Sequence, residues 1–318
     1  MRVASQGQSR STNSIYKGEY IMATSHAHAH DASAFTTDHY YVPHQSHWPI
    51  VASIGLFTLM LGVATWLNGG SNILFWVGLG LILITMFGWF GTVIRESEKG
   101  LYSAQMDRSF RLGMVWFIFS EVMFFAAFFG ALFYARMYAV PWLGGEGHGV
   151  LTHGLLWPHF EAAWPTNGPE RIGGFFAPMG PWGLPAINTL ILLSSGVTIT
   201  WAHWGLVEGN RAQLIKGLAA TVALGVLFLS LQAYEYVHAY KDLHLTLGSG
   251  IYGSTFFMLT GFHGLHVTIG AIILAVILFR SMAGHFTPQR HFAFEAAAWY
   301  WHFVDVVWLG LFVFVYWL

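Results

Sequence analysis

Five ionisable side chains lie deep inside long apolar stretches of the sequence, where an unpaired charge is costly. They are Glu121, His263, His266, His302 and Asp305. Histidine and carboxylate groups can bind a metal ion, carry a proton or pair with each other. The chain has 17 histidines and no cysteine, so any metal centre would need histidine and carboxylate ligands. These five residues are the first candidates for a functional site.

The spacing of four of these residues places them in two pairs. His263 and His266 are three residues apart, as are His302 and Asp305, so each pair would share one helix face. Two such pairs on packed helices could ligate a metal, and two histidines could hold a haem from opposite sides. Alternatively, each side chain satisfies a hydrogen-bonding neighbour within a helix bundle. Neither of these two pairs is a Glu-x-x-His pair of the kind found in di-iron bundles, which favours this alternative.

Three further ionisable residues, His203, Glu235 and His238, fall within about two turns of the end of an apolar stretch. We expect interfacial water to solvate their side chains there. They are therefore weaker candidates than the five central residues.

The composition indicates a membrane protein. The chain is 55% hydrophobic and only 9% charged, whereas soluble domains carry about a quarter charged residues. Apolar stretches of about 20 residues predict seven membrane-spanning helices. They cover approximately residues 49–67, 73–94, 112–138, 186–206, 214–240, 253–279 and 294–318. The predicted fold class is an all-α polytopic membrane protein. A net charge of −1, with no Lys/Arg cluster, excludes nucleic acid as a main partner.

The connections between the spans predict the orientation, because the side that keeps more Lys and Arg is cytoplasmic. One side would hold eight of these residues and the other three. The eight are Arg95, Lys99, Arg108, Arg111, Arg211, Lys216, Arg280 and Arg290, and the three are Arg136, Arg171 and Lys241. The amino terminus is therefore expected inside and, after seven crossings, the carboxyl terminus outside.

The polar residues 1–47 predict a disordered cytoplasmic tail ahead of a seven-helix membrane domain at 48–318. Codons for Lys17-Gly18-Glu19 would resemble a bacterial ribosome-binding sequence, which suggests Met22 as the true start. That interpretation suits a bacterial inner (cytoplasmic) membrane, with a periplasmic carboxyl terminus. The Arg- and Ser-containing residues 1–18 instead resemble an organelle transit peptide, and the alternative location is the mitochondrial inner membrane.

The outer connection at residues 139–185 is rich in Gly, Pro and Trp. It is too long to be a simple link between two helices. We expect a compact cap over the helix ends rather than a docking surface.

Four strings, in order, resemble subunit III of the haem-copper cytochrome c oxidases. They are FRLGMVWFIFSEVMFF, INTLILLSSGVTITWAH, YGSTFFMLTGFHGLHVTIGA and FEAAAWYWHFVDVVWLGLFVFVYW. The resemblance runs from about residue 47 to residue 318. It implies seven helices in a two-helix plus five-helix arrangement with a lipid-filled cleft between them. It also implies that this chain has no catalytic residues and no metal of its own, and that haem and copper belong to the partner subunits I and II.

The resemblance implies a supporting role in a proton-pumping oxidase of aerobic electron transport, which meets cytochrome c through the whole complex. The role would be to stabilise the catalytic subunit, bind phospholipid and support proton uptake. Glu121 matches the family's buried membrane glutamate, and His263 is its expected hydrogen-bonding neighbour. Positions that the family uses to hold phospholipid are matched by Trp89, Arg95, Glu96, Arg280 and His285. The family tends to have a histidine-containing stretch after Glu96, whereas residues 97–102 here read SEKGLY.

Two alternatives stay open at this point. The related subunit of quinol oxidases or nitric oxide reductase systems resembles only the last five helices, and the first two spans argue against it. From a different class, a free-standing bis-His membrane cytochrome or a transporter would use the histidine pairs. An optical spectrum of the purified chain separates these, because a haem protein shows a Soret band.

Overall fold

The computed structural model describes Val42 and residues 45–318. The predicted tail at 1–47 and the alternative start at Met22 therefore lie almost entirely outside the described residues. Of the described residues 77% are helical, and none of them forms a β-strand. Seven helical stretches among them are long and apolar enough to cross a membrane. The predicted all-α fold with seven spans is confirmed.

The helices follow one another with short connections, apart from the long segment between the third and fourth spans. Their bounds are α1 Trp48–Leu67, α2 Ile73–Glu98, α3 Ala104–Tyr134, α4 Val140–Leu143, α5 Val150–Leu156, α6 Leu184–Val207, α7 Arg211–Lys241, α8 Gly250–Ala283 and α9 Phe292–Leu311. Single π-helical turns extend α3 over Ala135–Ala139 and α9 over Phe312–Trp317. We refer to the end that carries residues 139–185 as the loop end, and to the opposite end as the tail end.

Helices α2 and α3 both extend beyond their apolar runs at the tail end. The prediction ended the second span at residue 94 and began the third at 112, but α2 continues to Glu98 and α3 begins at Ala104. The Ser103 hydroxyl accepts a hydrogen bond from the Met106 backbone N–H and caps α3. Asp107 and Arg111 then pair one turn apart at 2.7 Å. The apolar pattern misses these polar turns because they lie outside the hydrophobic core of the bilayer.

Helices α1 and α2 form a hairpin that packs extensively only against itself. Its two helices approach closely at Gly62 and Gly78. A Cβ at Gly62 would overlap the Phe75 backbone, and one at Gly78 would overlap the Leu59 backbone. Small residues at such positions let two membrane helices come into backbone contact.

Helices α6 to α9 form a bundle, and α3 packs on it against α8 and α9. The largest fully buried side chains of α9 are Trp301 and Trp308. Both indole N–H groups donate to hydroxyls of α6, Trp301 to Ser195 at 2.8 Å and Trp308 to Thr189 at 2.9 Å. These bonds fix the register of α9 against α6, because a buried indole N–H needs a partner.

The connection at residues 139–185 contacts the loop ends of α7 and α8. The Thr166 carbonyl accepts from the Tyr252 N–H at 3.3 Å, and the Ala177 N–H donates to the Leu243 carbonyl at 2.9 Å. Phe176 stacks on Tyr252, with ring centroids 5.4 Å apart. The connection therefore continues the apolar core of the bundle at this end.

Candidate functional site

Glu121 of α3 meets His266 of α8 between the two helices. Glu121 Oε2 lies 2.8 Å from His266 Nε2, and the side chains are 21% and 11% exposed. The rings of Phe124 and Phe125 lie beside the imidazole, at centroid distances of 5.8 and 5.0 Å. The pair is thus surrounded by aromatic side chains, in which an isolated charge would be poorly solvated.

The hydrogen bonds of His266 determine how many protons the pair holds. The Phe262 carbonyl can only accept, so His266 Nδ1, at 2.6 Å from it, carries a hydrogen. Nε2 and the Glu121 oxygen then have one proton between them. Either a neutral carboxylic acid donates to the imidazole, or an imidazolium donates to the carboxylate. In both forms the pair holds a single proton between the two helices.

His263 is not the partner of Glu121, so that expectation is wrong. Its imidazole is 1% exposed, and neither ring nitrogen has a hydrogen-bond partner among the described residues. The ring packs between Phe228 and Trp308, with centroids 5.9 and 5.1 Å away. His263 and His266 are only about 60° apart around α8, at 100° per residue, so a small rotation of α8 decides which of them meets α3; here His266 contacts Glu121 and His263 lies in the core of the bundle.

His302 and Asp305 of α9 lie side by side, facing α6. His302 Nδ1 is 3.8 Å from Asp305 Oδ2, which is an ion-pair distance but too long for a hydrogen bond. His302 Nε2 is within 3.4 Å of the Thr200 hydroxyl. A Cβ at Gly196 would lie 2.5 Å from Asp305 Oδ2, so this glycine makes room for the carboxylate. The pair is partly satisfied across the α6–α9 contact.

The lipid candidates on α2 lie near its tail end. Trp89 is 44% exposed. Arg95 donates within its own helix, from Nε to the Gly91 carbonyl at 3.1 Å. Glu96 accepts from the Tyr102 hydroxyl at 2.9 Å. The Glu96 carboxylate is therefore engaged by a residue of the same chain, whereas the side chains of Trp89 and Arg95 are exposed.

The lipid candidates after α8 face the same end. The Arg280 guanidinium lies 4.6 Å from the centroid of the Phe286 ring, and its Nε is buried without a hydrogen-bond partner among the described residues. His285 Nδ1 pairs with Glu98 Oε1 at 2.7 Å. Glu98 belongs to the segment that departs from the family pattern. It forms an ion pair that joins the hairpin to the bundle.

Sequence analysis missed the burial of Glu235. The expectation that interfacial water solvates it is wrong, because this side chain is 0% exposed. It accepts hydrogen bonds from the Tyr316 hydroxyl at 2.6 Å and the Gln232 amide at 3.3 Å. The π-helical turn at the end of α9 places Tyr316 over the carboxylate. A Gln three residues before a Glu on one helix face was the signal available in the sequence.

Glu295, in the first turn of α9, was also missed. Its Oε2 forms an ion pair with Arg111 of α3. Its Oε1 lies 3.0 Å from His291 Nε2 and 4.0 Å from His203 Nε2. These side chains come from α3, α6 and the start of α9. The spacing of His291 and Glu295, four residues apart, was the only local signal of this group.

The fold and these contacts define the chain as a polytopic helical membrane protein, with buried polar groups that pair between helices. A family model described as "Cytochrome c oxidase subunit III" matches residues 38–318. Among curated relatives, cytochrome c oxidase subunit 3 of Formosania lacustris is 44% identical over 290 residues, which is 91% of this chain and 98% of the relative. The protein of the same name from Scyliorhinus canicula is 43% identical over 279 residues, or 87% of this chain and 96% of the relative.

The chain belongs to the cytochrome c oxidase subunit III family. It is a membrane subunit of that oxidase, an oxidoreductase complex formed with other subunits. The match includes the first two spans. The related subunit of quinol oxidases or nitric oxide reductase systems was disfavoured because it resembles only the last five helices.

Proposed function

We propose that the chain is a non-catalytic subunit that stabilises the catalytic subunit, binds phospholipid and supports proton uptake. Haem and copper would reside in subunits I and II, and cytochrome c would dock on the complex. The Glu121–His266 pair is the observation that carries this proposal, because it can hold a proton between two helices and both nitrogens of its imidazole are occupied within the chain.

A bis-His haem in this chain fits the geometry poorly. His266 uses both ring nitrogens, one toward Glu121 and one toward the Phe262 carbonyl. The His263 ring lies between two aromatic rings in the core. His266 therefore has no free nitrogen, and the nitrogens of His263 do not face an open space of haem size. Both observations favour the supporting role.

Phospholipid binding is supported by the separation of the hairpin from the bundle. In the most apolar 18-residue stretch of each of the first three spans, only 6–11% of the residues are buried inside the chain. Lipid or a partner subunit has to cover the remaining apolar faces. Arg280 and Arg95, near the tail end, are suited to a lipid phosphate through charge-assisted hydrogen bonds.

The location of the complex follows from two observations. The connections on the amino-terminal side hold eight Lys and Arg residues and those on the opposite side hold three, which supports an amino terminus on the inner side. The relatives come from animals, which favours the mitochondrial inner membrane over a bacterial one.

The test compares the purified complex with and without this chain. We expect the depleted complex to keep its haem and copper spectrum and its initial rate of oxygen reduction, but to inactivate sooner and take up protons more slowly. In the intact complex, Arg280→Ala should lower the retained phospholipid measured by mass spectrometry, while Arg136→Ala at the loop end should not. Loss of a haem band together with the chain would refute the supporting role.

A further inference from the structure

Three potential metal ligands converge at the tail end of the bundle. His203 Nε2, His291 Nε2 and a Glu295 carboxylate oxygen all lie within 4.8 Å of one another. This is the only such group of three that the described part of the chain contains. Two of the residues belong to the first turn of α9 and its N-cap, and His203 comes from the last turns of α6.

The distances are close to those of a zinc site. Zinc binds imidazole nitrogen and carboxylate oxygen at about 2.0–2.2 Å, so two ligands of a tetrahedral ion are about 3.3–3.6 Å apart. The Glu295 oxygen is 3.0 Å from His291 Nε2 and 4.0 Å from His203 Nε2, and the two imidazole nitrogens lie within 4.8 Å of each other. An ion would therefore draw His203 closer to the other two ligands. A water molecule would complete four ligands.

The hydrogen bonds around the group orient the ligands for a cation. His291 Nδ1 lies 3.1 Å from the Thr287 carbonyl and so carries a hydrogen. Without a metal, His291 Nε2 and Glu295 Oε1, 3.0 Å apart, share one proton as the Glu121–His266 pair does, and an ion that binds between them would displace that proton. Arg111 occupies Glu295 Oε2 and is itself held by Asp107 at 2.7 Å. The other oxygen, Oε1, is thereby turned to the histidines, and hydrogen bonds to metal-binding side chains commonly orient them in this way.

His203 supplies an independent indication of a missing partner. Its Nε2 atom is buried but has no hydrogen-bond partner among the described residues. At 4.0 Å, Glu295 Oε1 is too far away for a hydrogen bond. A buried polar atom without a partner commonly marks an absent water or ion. Here that atom faces two other ligand atoms.

The group has one exposed side. The His203 side chain is 35% exposed, whereas Glu295 is 10% and His291 3% exposed. An ion would enter past His203 and meet ligands that are already ordered. When the histidines are neutral, the two carboxylates of Asp107 and Glu295 and the guanidinium of Arg111 sum to a charge of −1. This charge favours the binding of a cation.

We propose that His203, His291 and Glu295 form a binding site for a divalent transition metal ion such as zinc, independent of any redox centre of the oxidase. The competing description is a network of His291, Glu295 and Arg111 that is complete without an ion. The two descriptions differ in what His203 does, because only the metal site requires it. The proposal does not depend on the supporting role proposed above.

The experiment soaks crystals of the whole oxidase complex with Zn²⁺ after treatment with a chelator. We expect an anomalous diffraction peak about 2.0–2.2 Å from all three ligand atoms. His203→Ala should remove this peak and one bound zinc per complex, and its zinc affinity at this site should fall at least about tenfold. His238→Ala is the matched control, because this histidine pairs with Asp242 at 2.7 Å without a third ligand. The control should keep the peak.

A wild-type complex that shows no zinc peak at the three atoms overturns the proposal, and this result does not depend on whether any variant assembles. A peak that persists unchanged in His203→Ala also overturns it. His203→Gln, which keeps a polar side chain of similar length, should assemble if His203→Ala does not, and should likewise lose the zinc.

Discussion

The helices of the α1–α2 hairpin and of the α6–α9 bundle are all apolar enough to cross a membrane, but the two regions use their polar residues differently. In the hairpin, the Thr58 hydroxyl donates to the Ile54 carbonyl at 2.8 Å and Thr85 to Leu81 at 2.8 Å, each within its own helix. In the bundle, the Thr198 and Thr221 hydroxyls meet across α6 and α7 at 2.8 Å, and those of Tyr236 and Thr260 across α7 and α8 at 2.7 Å. Among its described residues the hairpin has one such contact, from the Trp48 indole N–H to the Thr92 hydroxyl at 3.3 Å, so polar contacts between helices are more frequent in the bundle.

Burial follows the same division. In the most apolar 18-residue stretch of each hairpin helix, 11% of the residues are buried. In the same stretch of each of the four bundle spans, 33–56% of the residues are buried. The bundle provides its own core, whereas most of the hairpin surface must contact lipid or another subunit. A membrane span identified by hydropathy can thus be either a core element or a peripheral one.

The largest effect should come from removing a bundle tryptophan. Trp301 is 0% exposed and its indole donates to Ser195. Trp301→Ala leaves a cavity in the bundle, so we expect a loss of about 3–5 kcal/mol in unfolding free energy. Trp76→Ala is the matched hairpin control, because Trp76 is 58% exposed. Unfolding in detergent micelles measures both, and equal losses would contradict the division between core and periphery.

Glu121 tests the polar contact between α3 and the bundle. Glu121→Leu leaves His266 Nε2 without its partner, and we expect a cost of about 1–3 kcal/mol. Glu121→Gln keeps a hydrogen-bonding group and should assemble normally. Since the redox centres are proposed to lie elsewhere, neither change should abolish oxygen reduction in the assembled complex. Oxygen consumption and proton uptake measure this, and an inactive but fully assembled Glu121→Gln complex would argue against the supporting role.

Gly62 tests the hairpin. The side chain of Gly62→Leu would overlap the Phe75 backbone, and overpacking of this kind costs about 1–3 kcal/mol. The ideal Cβ of Gly55 lies 3.1 Å from the Leu81 Cβ, close to disulfide geometry. The chain has no cysteine, so Gly55→Cys with Leu81→Cys provides a specific cross-link.

We expect Gly62→Leu to reduce this cross-linking sharply. Gly80→Leu is the control, since a Cβ at Gly80 meets nothing within 4 Å. Mass spectrometry of the oxidised chain measures the yield. Equal yields in the two variants would mean that backbone contact at Gly62 does not hold the hairpin together.

The sequence predicted the seven spans well because apolar length is a local property. It also identified Glu121 as a polar residue within a span, since its position in the apolar run is local too. It failed for the partner of Glu121, because the choice between His263 and His266 depends on how α8 rotates against α3. It missed Glu235 and Glu295 because their burial is produced by distant residues, Tyr316 for one and Arg111 for the other.

The smallest effect should come from the ion pair that joins the two regions. Glu98 and His285 are 37% and 35% exposed, so solvent screens their attraction and the pair contributes about 0–1 kcal/mol. Spin labels on cysteines introduced at Ser97 and Gln289 measure the distance between the two regions. Glu98→Gln should widen the distribution of this distance. Added salt should produce part of the same widening in the protein that keeps Glu98. Glu208→Gln, an exposed acid at the end of α6, should leave the distribution unchanged. If Glu98→Gln also leaves it unchanged, the orientation of the hairpin is set by what covers its apolar faces, either lipid or a partner subunit, and not by this pair.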